Sequence, residues 1–298
     1  MAEQQFKLST FLADLKSLTK SFVLIANVLP VFAGFWLAIH FANISFFAHI
    51  DTLIITLIGS TLTIAGALIL NNWYEVDLDE KMARTKERPT VTGSLSMHTI
   101  LALGIILSAI GLGIMFLVTF EAAVYAFLGW FTYVVLYTFW SKRKYTLNTM
   151  IGSVSGAFTP LIGWAAIDSA YHVVPITLFV FLLIWQIPHT FAITIRRFEE
   201  YKAAGVPMLP VVYGFEVTKR QTVIYIACLL PLPIFLLSLG VGFVVIATLA
   251  NLIWLVVGLR GFFVKDDVKW ANTIFYFSLS YLTIFFALLI GFTLPIFN

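Results

Sequence analysis

Three oxygen-bearing side chains, spaced four residues apart, are the strongest candidates for chemistry in this sequence. Asn71, Glu75 and Asp79 follow a long apolar run, and on a helix this spacing places all three on one face. Carboxylate and amide oxygens suit Mg²⁺, which in proteins usually bridges to a phosphate-bearing substrate. The alternative is a solvated loop of mixed charge at a membrane surface. We favour the functional interpretation because ionisable groups at the end of an apolar helix are costly and usually functional.

Charged residues later in the chain extend this candidate site. Arg84, Lys86 and Arg88 follow the acids directly and are close enough in sequence to hold the same phosphates. A second charged stretch mixes cations and acids in the same way: Arg196, Arg197, Glu199 and Glu200. Taken alone, Arg196 and Glu200 indicate a surface ion pair on one helical face. Two such stretches on the same side of a membrane favour one shared site.

Two further positions each allow two interpretations. Lys142 is either a contact to a substrate or only a determinant of membrane topology. His189 lies beside Pro188 inside an apolar run. A buried histidine is more often a hydrogen-bonded structural residue than a ligand, but neutral imidazole is also an axial ligand of haem iron.

The composition predicts an all-α membrane protein that crosses the bilayer many times. The 298 residues are 60% hydrophobic and 11% charged, whereas soluble domains carry about 25% charged residues. Apolar runs long enough to cross a bilayer recur from end to end. Residues 1–20 are too polar for a cleaved signal sequence, so we expect a cytoplasmic N-terminal segment there and one membrane domain over 21–295. The lone Cys228 is expected to be a small buried residue.

Nine membrane spans are predicted from the apolar runs. They are 21–42, 52–73, 98–118, 121–140, 148–168, 172–195, 221–239, 241–261 and 271–294. All 18 Lys and Arg residues fall before the first span or in the connections after spans two, four, six and eight. Because Lys and Arg mark the cytoplasmic side, we expect a cytoplasmic N-terminus and an external C-terminus. The two long charged connections, 74–97 and 196–220, are then both cytoplasmic.

Taken together, these stretches resemble the UbiA superfamily of intramembrane prenyltransferases, and within it the branch that acts on haem. The superfamily motif is carried by residues 71–79 with Met82, Arg84 and Arg88. The haem branch is indicated by residues 185–189 (WQIPH) and 207–210 (PMLP). The resemblance covers residues 20–295.

The resemblance implies nine helices around a central cavity, capped on the cytoplasmic side by both charged connections. It implies an enzyme of the bacterial cell membrane that transfers the farnesyl group of farnesyl diphosphate to a vinyl group of haem B. The products are haem O and diphosphate. Haem O then goes to haem A synthase or directly to a terminal oxidase. The expected partners are the lipid bilayer and the two substrates, and no nucleic acid is expected.

The resemblance also implies a role for each candidate residue. The expected Mg²⁺ ligands are Asn71, Glu75, Asp79, Glu199 and Glu200. The expected diphosphate contacts are Arg84, Arg88, Tyr137, Lys142 and Arg197. His189 is the expected contact to haem. Metal ions and cations stabilise the charge on a leaving diphosphate, and an apolar cavity protects the allylic cation from water.

Four positions depart from the family pattern. Glu75 stands where Asp is usual, and Val76 where Arg is common. Thr159 replaces a usual Pro, and Thr190 a usual aromatic residue. The first two changes bear on metal geometry and rate, and the last two on the fit of the acceptor.

Three other functions remain as alternatives at this point. One is a prenyltransferase that acts on a quinone precursor or another aromatic acceptor. Another is a transporter, since transporters also use broken helices and intramembrane charges, although the charges here lie at one face. The third is a non-catalytic assembly factor, in which the carboxylates would be dispensable.

Overall fold

The computed structural model describes residues 12–294, and residues 1–11 and 295–298 lie outside the described part. The expected N-terminal segment, 1–20, is therefore described only from residue 12 onward. The final residue of the expected membrane domain, 21–295, is likewise not described. Every regular element between residues 12 and 294 is helical, which agrees with the predicted all-α class.

The structure consists of long helices joined by short ones. The α-helices are α1 (Ser21–Ala42), α2 (Ile50–Tyr74), α3 (Val76–Asp79), α4 (Pro89–Thr92), α5 (Met97–Val118), α6 (Phe120–Phe131), α7 (Asn148–Ala157), α8 (Thr159–Ala165), α9 (Val173–Arg196), α10 (Phe198–Ala203), α11 (Leu209–Cys228), α12 (Val241–Leu259) and α13 (Asp267–Gly291). A π-helical segment, Thr132–Ser141, continues α6. Short 3₁₀ segments are Phe47–His49, Leu232–Leu239 and Arg260–Phe262.

Within residues 12–294, eight helical segments are long and apolar enough to cross a membrane. They correspond to eight of the nine predicted spans. The remaining prediction, 148–168, is occupied by α7 and α8, which are shorter. Pro160 has no N–H and interrupts the hydrogen-bond ladder at their junction, while Phe158 between them keeps a helical φ of −68° and ψ of −19°. The predicted count is therefore close, with one span built from two consecutive short helices.

The predicted start of the seventh span, at residue 221, is wrong. Helix α11 begins at Leu209, so Lys219 and Arg220 are helical rather than part of a connection. Gly214 has a φ of 80° and a ψ of 176°, which a glycine adopts without strain, and it kinks the helix. The first turns of this helix carry charged side chains, so they do not belong to the apolar run from which the span was predicted. Cys228 is exposed, so the expectation that it is buried is also wrong.

Helices α1 and α8 approach each other with almost no space between their backbones. A Cβ atom placed on Gly163 would lie 1.8 Å from the carbonyl oxygen of Val31, and one on Gly34 would lie 2.1 Å from that of Pro160. Small residues allow such close approach between helices in membranes. This contact fixes α8 against α1, and both helices line the central cavity described below.

We expect Gly163→Ala to destabilise the protein by about 1–3 kcal/mol, the usual range for overpacking. The new methyl group would meet backbone atoms, which cannot rotate away. The measurement is the thermal unfolding temperature of the purified protein in detergent. Gly113→Ala in α5 is the matched control, because a Cβ there meets nothing within 4 Å. Equal unfolding temperatures for the two variants would contradict this packing.

Candidate functional site

The three side chains Asn71, Glu75 and Asp79 lie close together at the junction of α2 and α3, and all are buried. Their exposed fractions are 1%, 3% and 4%. Each contacts a different cation: Lys20 Nζ donates to Asn71 Oδ1 at 2.6 Å, Arg88 Nη1 donates to Asp79 Oδ2 at 2.5 Å, and Lys142 Nζ donates to Glu75 Oε2. Buried charges need such partners. The structure therefore assembles the acids of the first stretch with cations from three parts of the chain.

The backbone around Glu75 differs from the predicted single helix but preserves the spacing. Glu75 has a φ of −101° and a ψ of 15°, which ends α2 at Tyr74. The i,i+4 bonds nevertheless continue, from Glu75 N to Asn71 O at 3.0 Å and from Asp79 N to Glu75 O at 2.9 Å. The prediction of one continuous helical face is wrong in detail. The three side chains nevertheless lie on the same side of the chain, as the spacing predicted.

The turn after α3 returns Arg88 to Asp79. Thr85 Oγ1 donates to the carbonyl oxygen of Asp79 at 2.8 Å, and Arg88 N donates to that of Thr85 at 3.0 Å. Arg84 lies in the same turn but is exposed. The structure therefore places Arg88 inside the cluster and Arg84 at its surface.

Lys142 and Arg143 follow the π-helical segment and each contacts a different acid. The guanidinium of Arg143 donates to the two carboxylate oxygens of Asp77 at 2.8 and 2.7 Å. That pair is at the surface, with side chains 33% and 53% exposed, and the hydrogen bond from Arg143 lowers the pKa of Asp77. Burial lowers the pKa of Lys142, but the Glu75 carboxylate together with the hydroxyls of Tyr137 and Tyr201 outweighs burial, and the pKa is raised. Lys142 is therefore a firmly charged partner of Glu75.

Glu75 Oε1, a buried oxygen of the cluster, has no hydrogen-bond partner among residues 12–294. A buried acceptor without a partner costs free energy, so its presence points to a ligand that supplies the missing contact. A carboxylate oxygen beside a second carboxylate and an amide oxygen is a donor set that suits a divalent cation.

A cavity of about 740 Å³ lies between the helices beside this cluster. It is bordered by α1, α2, α6, α7, α8 and α9, and its walls are mainly apolar or small. Representative lining residues are Ile64, Leu68, Ala126, Trp130, Ser155 and Ile162. The predicted central cavity is therefore present in the described structure.

A second cavity, of about 440 Å³, adjoins the first. Both cavities are lined by Tyr133, Gly152 and Gln186. The second one also reaches Tyr137, whose ring centre lies 5.5 Å from Lys142 Nζ. An elongated molecule with a charged head and an apolar tail would find matching surroundings along this path.

The second charged stretch lies at the end of α9 and along α10, beside a groove of about 880 Å³. Arg197 Nη1 donates to Glu200 Oε1 at 2.9 Å, and the two side chains are 45% and 19% exposed. Glu199 is exposed as well. Among the residues described here, no three His, Cys, Asp or Glu side chains come close enough to share a metal ion. The structure therefore does not join Glu199 and Glu200 to the acids of the first stretch.

The two connections nevertheless pack on each other through apolar side chains. Leu78 and Met82 from the first connection form a buried cluster with Ala204, Val206 and Met208 from the second. Asn148 Nδ2, at the start of α7, donates to the carbonyl oxygen of Pro207 at 3.4 Å and ties the second connection to the bundle. Both connections thus cap the bundle at one end, as the resemblance implied.

His189 is held by its neighbours in α9 and α13. Its ring stacks on Trp185 at 4.9 Å and on Phe275 at 5.1 Å between ring centres. Its Nδ1 lies 2.7 Å from Ser278 Oγ, and Ser278 Oγ donates its proton to the carbonyl oxygen of Phe275 at 2.7 Å. Because that hydroxyl proton is used, His189 Nδ1–H is the donor to Ser278, and Nε2 keeps its lone pair.

Lys20 is the residue of the cluster that sequence reasoning missed. In the sequence it is one of the cations before the first span, which mark only the topology. In the structure its Nζ contacts Asn71, and its backbone has a φ of 47° and a ψ of 58°. That conformation is uncommon for a residue other than glycine. Burial lowers the pKa of Lys20 well below its ordinary value, and the neighbouring cation Arg88 adds to the effect. One feature of the sequence could have indicated this role. Lys20 directly precedes the first apolar run and Asn71 ends the second, so both lie on the same side of the membrane.

The sequence matches one protein family and is closely similar to several named proteins. Residues 27–292 match the UbiA prenyltransferase family. A protein of Oceanobacillus iheyensis named protoheme IX farnesyltransferase is 54% identical over 98% of this chain and 93% of its own. One of Bacillus subtilis (strain 168), named protoheme IX farnesyltransferase 2, is 51% identical over 97% of this chain and 95% of its own.

Comparison with solved structures supports the same fold. A digeranylgeranylglyceryl phosphate synthase aligns with a TM-score of 0.76 at 17% identity, over 95% of this chain and 98% of its own. A UbiA homologue from Archaeoglobus fulgidus, bound to DMAPP and Mg²⁺, aligns with a TM-score of 0.71 at 15% identity, over 93% of this chain and 99% of its own. Because the sequence identities are this low, these comparisons show only that the fold is shared.

We expect Arg88→Met to lower stability by about 3–5 kcal/mol, because it leaves the Asp79 carboxylate buried without its cation. Arg143→Met removes a cation from the exposed pair nearby and should cost about 0–1 kcal/mol. Thermal unfolding in detergent measures both. The double variant Arg88→Met with Asp79→Asn should regain much of the loss, since the orphaned charge is then gone. A double variant no more stable than Arg88→Met would contradict the assigned pair.

Proposed function

The chain belongs to the UbiA prenyltransferase family, and on that premise we propose that it catalyses the reaction of a protoheme IX farnesyltransferase. It transfers the farnesyl group of farnesyl diphosphate to a vinyl group of haem B, giving haem O and diphosphate. The observation that carries the proposal is a buried cluster of acids and cations at one end of an apolar cavity. A quinone-precursor prenyltransferase is not favoured, because relatives about half identical over nearly the whole chain carry the haem enzyme's name.

The acids of the cluster are the proposed metal ligands. Glu75, Asp79 and Asn71 would hold Mg²⁺ through oxygen, and the support is the unpartnered Glu75 Oε1 together with the donor set around it. Mg²⁺ when bound stabilises the negative charge that develops on the diphosphate leaving group. Glu199 and Glu200 remain proposed ligands from the second connection, although in the described structure they lie outside this cluster.

The cations are the proposed diphosphate contacts. Arg88 and Lys142 are already buried within the cluster, where the charge-assisted hydrogen bonds they donate are strongest. Tyr137 lines the second cavity, with its ring centre 5.5 Å from Lys142 Nζ, and would donate a hydrogen bond. Arg84 and Arg197 are exposed at the same end of the bundle and would act when the substrate enters.

The apolar cavity is the proposed site of the farnesyl chain. Its residues exclude water, so that the allylic cation formed on loss of diphosphate meets the vinyl group before it meets solvent. The electron-rich vinyl carbon attacks the allylic cation. A water molecule then adds to the cation on the haem side and loses a proton, which leaves the hydroxyl group of haem O. Thr159 and Thr190, two of the departures from the family pattern, line the first and second cavities respectively.

His189 is the proposed contact to haem B. The hydrogen bond of its Nδ1 with Ser278 leaves Nε2 as the nitrogen with a free lone pair. A second partner that fixes the tautomer is typical of histidines that bind metals. The stacked rings of Trp185 and Phe275 hold the imidazole in one orientation.

The protein is a multi-pass membrane protein. We propose that residues 21–295 form a single catalytic domain with the N-terminus in the cytoplasm and the C-terminus outside, in the bacterial cell membrane. The support is the positive-inside rule and the meeting of the cation-bearing helix ends in one cluster. We also propose that haem O is handed to haem A synthase or directly to a terminal oxidase.

We expect Asp79→Asn to abolish haem O formation while the protein remains folded, because an amide accepts from Arg88 but cannot supply a carboxylate to the metal. The assay supplies haem B, farnesyl diphosphate and Mg²⁺, and analyses the extracted haems by mass spectrometry. The expected product is heavier than haem B by a farnesyl group and a hydroxyl group, and a chelator should prevent its formation.

Asp77→Asn is the matched control for this assay. Asp77 is two residues away and exposed, with its carboxylate occupied by Arg143, so we expect near-normal turnover. Normal turnover by Asp79→Asn would overturn the metal assignment. Unchanged haem from the parent protein, with farnesyl diphosphate consumed on a quinone precursor, would overturn the proposed acceptor.

We expect Ser155→Phe, which fills part of the larger cavity, to raise the KM for farnesyl diphosphate at least tenfold. A short prenyl diphosphate such as dimethylallyl diphosphate, tested as a competitive inhibitor, should bind the variant and the parent equally. Both constants come from the haem O assay. If the variant weakened both diphosphates equally, the cavity would not hold the prenyl chain.

A further inference from the structure

A groove of about 890 Å³ lies between the end of α12 and the start of α13, away from the acid cluster. Three cations line it: Arg260, Lys265 and Lys269. The guanidinium of Arg196 lies 4.1 Å from the ring centre of Phe275. That contact places the start of α13 beside the end of α9, at the charged end of the bundle. None of the proposed reaction steps uses this groove.

The three cations are unneutralised because nearby acids have other partners. Among residues 12–294, no carboxylate lies within ion-pair distance of Arg260, Lys265 or Lys269. Asp266 Oδ1 accepts the backbone N–H of Lys269 at 2.9 Å and caps α13. Asp267 Oδ1 accepts from Lys219 Nζ at 2.9 Å. The groove is therefore positively charged overall, although it contains an aspartate.

The floor of the groove is preorganised. Lys219 is only 4% exposed and also donates to the carbonyl oxygen of Gly261 at 3.2 Å, which ties the turn after α12 to α11 and α13. The indole of Trp270 packs against Gly261, where a Cβ would lie 2.6 Å from the ring. Its Nε1–H donates to the carbonyl oxygen of Val257 at 3.3 Å. The backbone that positions the cations is thus held in place without a ligand.

Apolar side chains surround the cations on the same turn. Phe263 is 86% exposed, and Phe262 and Val264 are each 39% exposed. Exposed Phe side chains beside cations are typical of protein surfaces that lie where lipid headgroups meet acyl chains. The cations would therefore match an anionic headgroup, and the apolar side chains next to them would match the acyl chains.

We propose that this groove binds the headgroup of an anionic phospholipid from the leaflet at the charged end of the bundle. Arg260, Lys265 and Lys269 contact the phosphate, and Phe263 lies against the upper part of the acyl chains. Basic pockets between membrane helices commonly recognise lipid headgroups in this way. The charge of the groove favours an acidic lipid over a zwitterionic one.

The test is native mass spectrometry of the full chain in detergent with added phosphatidylglycerol or phosphatidylcholine. We expect the parent to retain phosphatidylglycerol preferentially. The triple variant Arg260→Gln, Lys265→Gln, Lys269→Gln should bind it about 100-fold more weakly, since each cation near an anionic lipid contributes roughly fivefold in affinity. The three residues are exposed, so folding should be unaffected, and the unfolding temperature checks this. Lys265→Gln alone, with an expected loss of about fivefold, keeps the test valid if the triple variant misfolds.

The matched control is Lys81→Gln, Lys86→Gln, Lys144→Gln, which removes three exposed cations from the same end of the bundle. We expect it to bind phosphatidylglycerol like the parent. Equal weakening in both triple variants would mean a general charge effect and would overturn the site. Equal retention of both lipids by the parent would also overturn it. Inorganic phosphate forms a separate arm: if it bound the groove as tightly as the lipid, the ligand would be a free anion instead.

Discussion

The pairing of buried charges is the constraint on which the charged end of this protein depends. Glu75 and Asp79 lie in surroundings with little water, where an isolated carboxylate would be far too costly. The partner of Glu75 is Lys142, after the fourth predicted span, and Lys20, before the first span, contacts Asn71. The partner of Asp79 is Arg88, from the turn that follows α3. The ends of those helices must therefore meet at one place, and the bundle below them is arranged accordingly.

The same low dielectric that makes the charges costly also makes them effective. Contacts between ions strengthen as water is removed, so a diphosphate that enters the cluster meets cations already fixed in position. Preorganised charge of this kind is usually the largest contribution to catalysis. The adjoining cavity provides the opposite environment, with apolar walls and little to react with a cation. The diphosphate and the prenyl chain of the donor would thus lie in different surroundings, one charged and one apolar.

The sequence predicted the elements of this arrangement better than its connections. Long apolar runs gave eight of the spans, because lipid requires every exposed backbone polar group to be bonded within its own helix. Helix α11 began earlier than predicted, since its first turns carry charged residues that bond within the protein. The break at Glu75 and the role of Lys20 depend on contacts between residues far apart in sequence. Spacing could place Asn71, Glu75 and Asp79 on one side, but it could not show which cation each would contact.

The apolar contact between the two connections has an energetic consequence for turnover. Leu78 and Met82 meet Val206 and Met208 above the charged cluster, and each buried side chain of this kind contributes about 1.5–3 kcal/mol. Four such side chains together contribute roughly 6–12 kcal/mol on that scale. Separating the two connections therefore costs a free energy comparable with the whole stability of an ordinary domain. The closed cap is thus the state that shields the charged cluster from water.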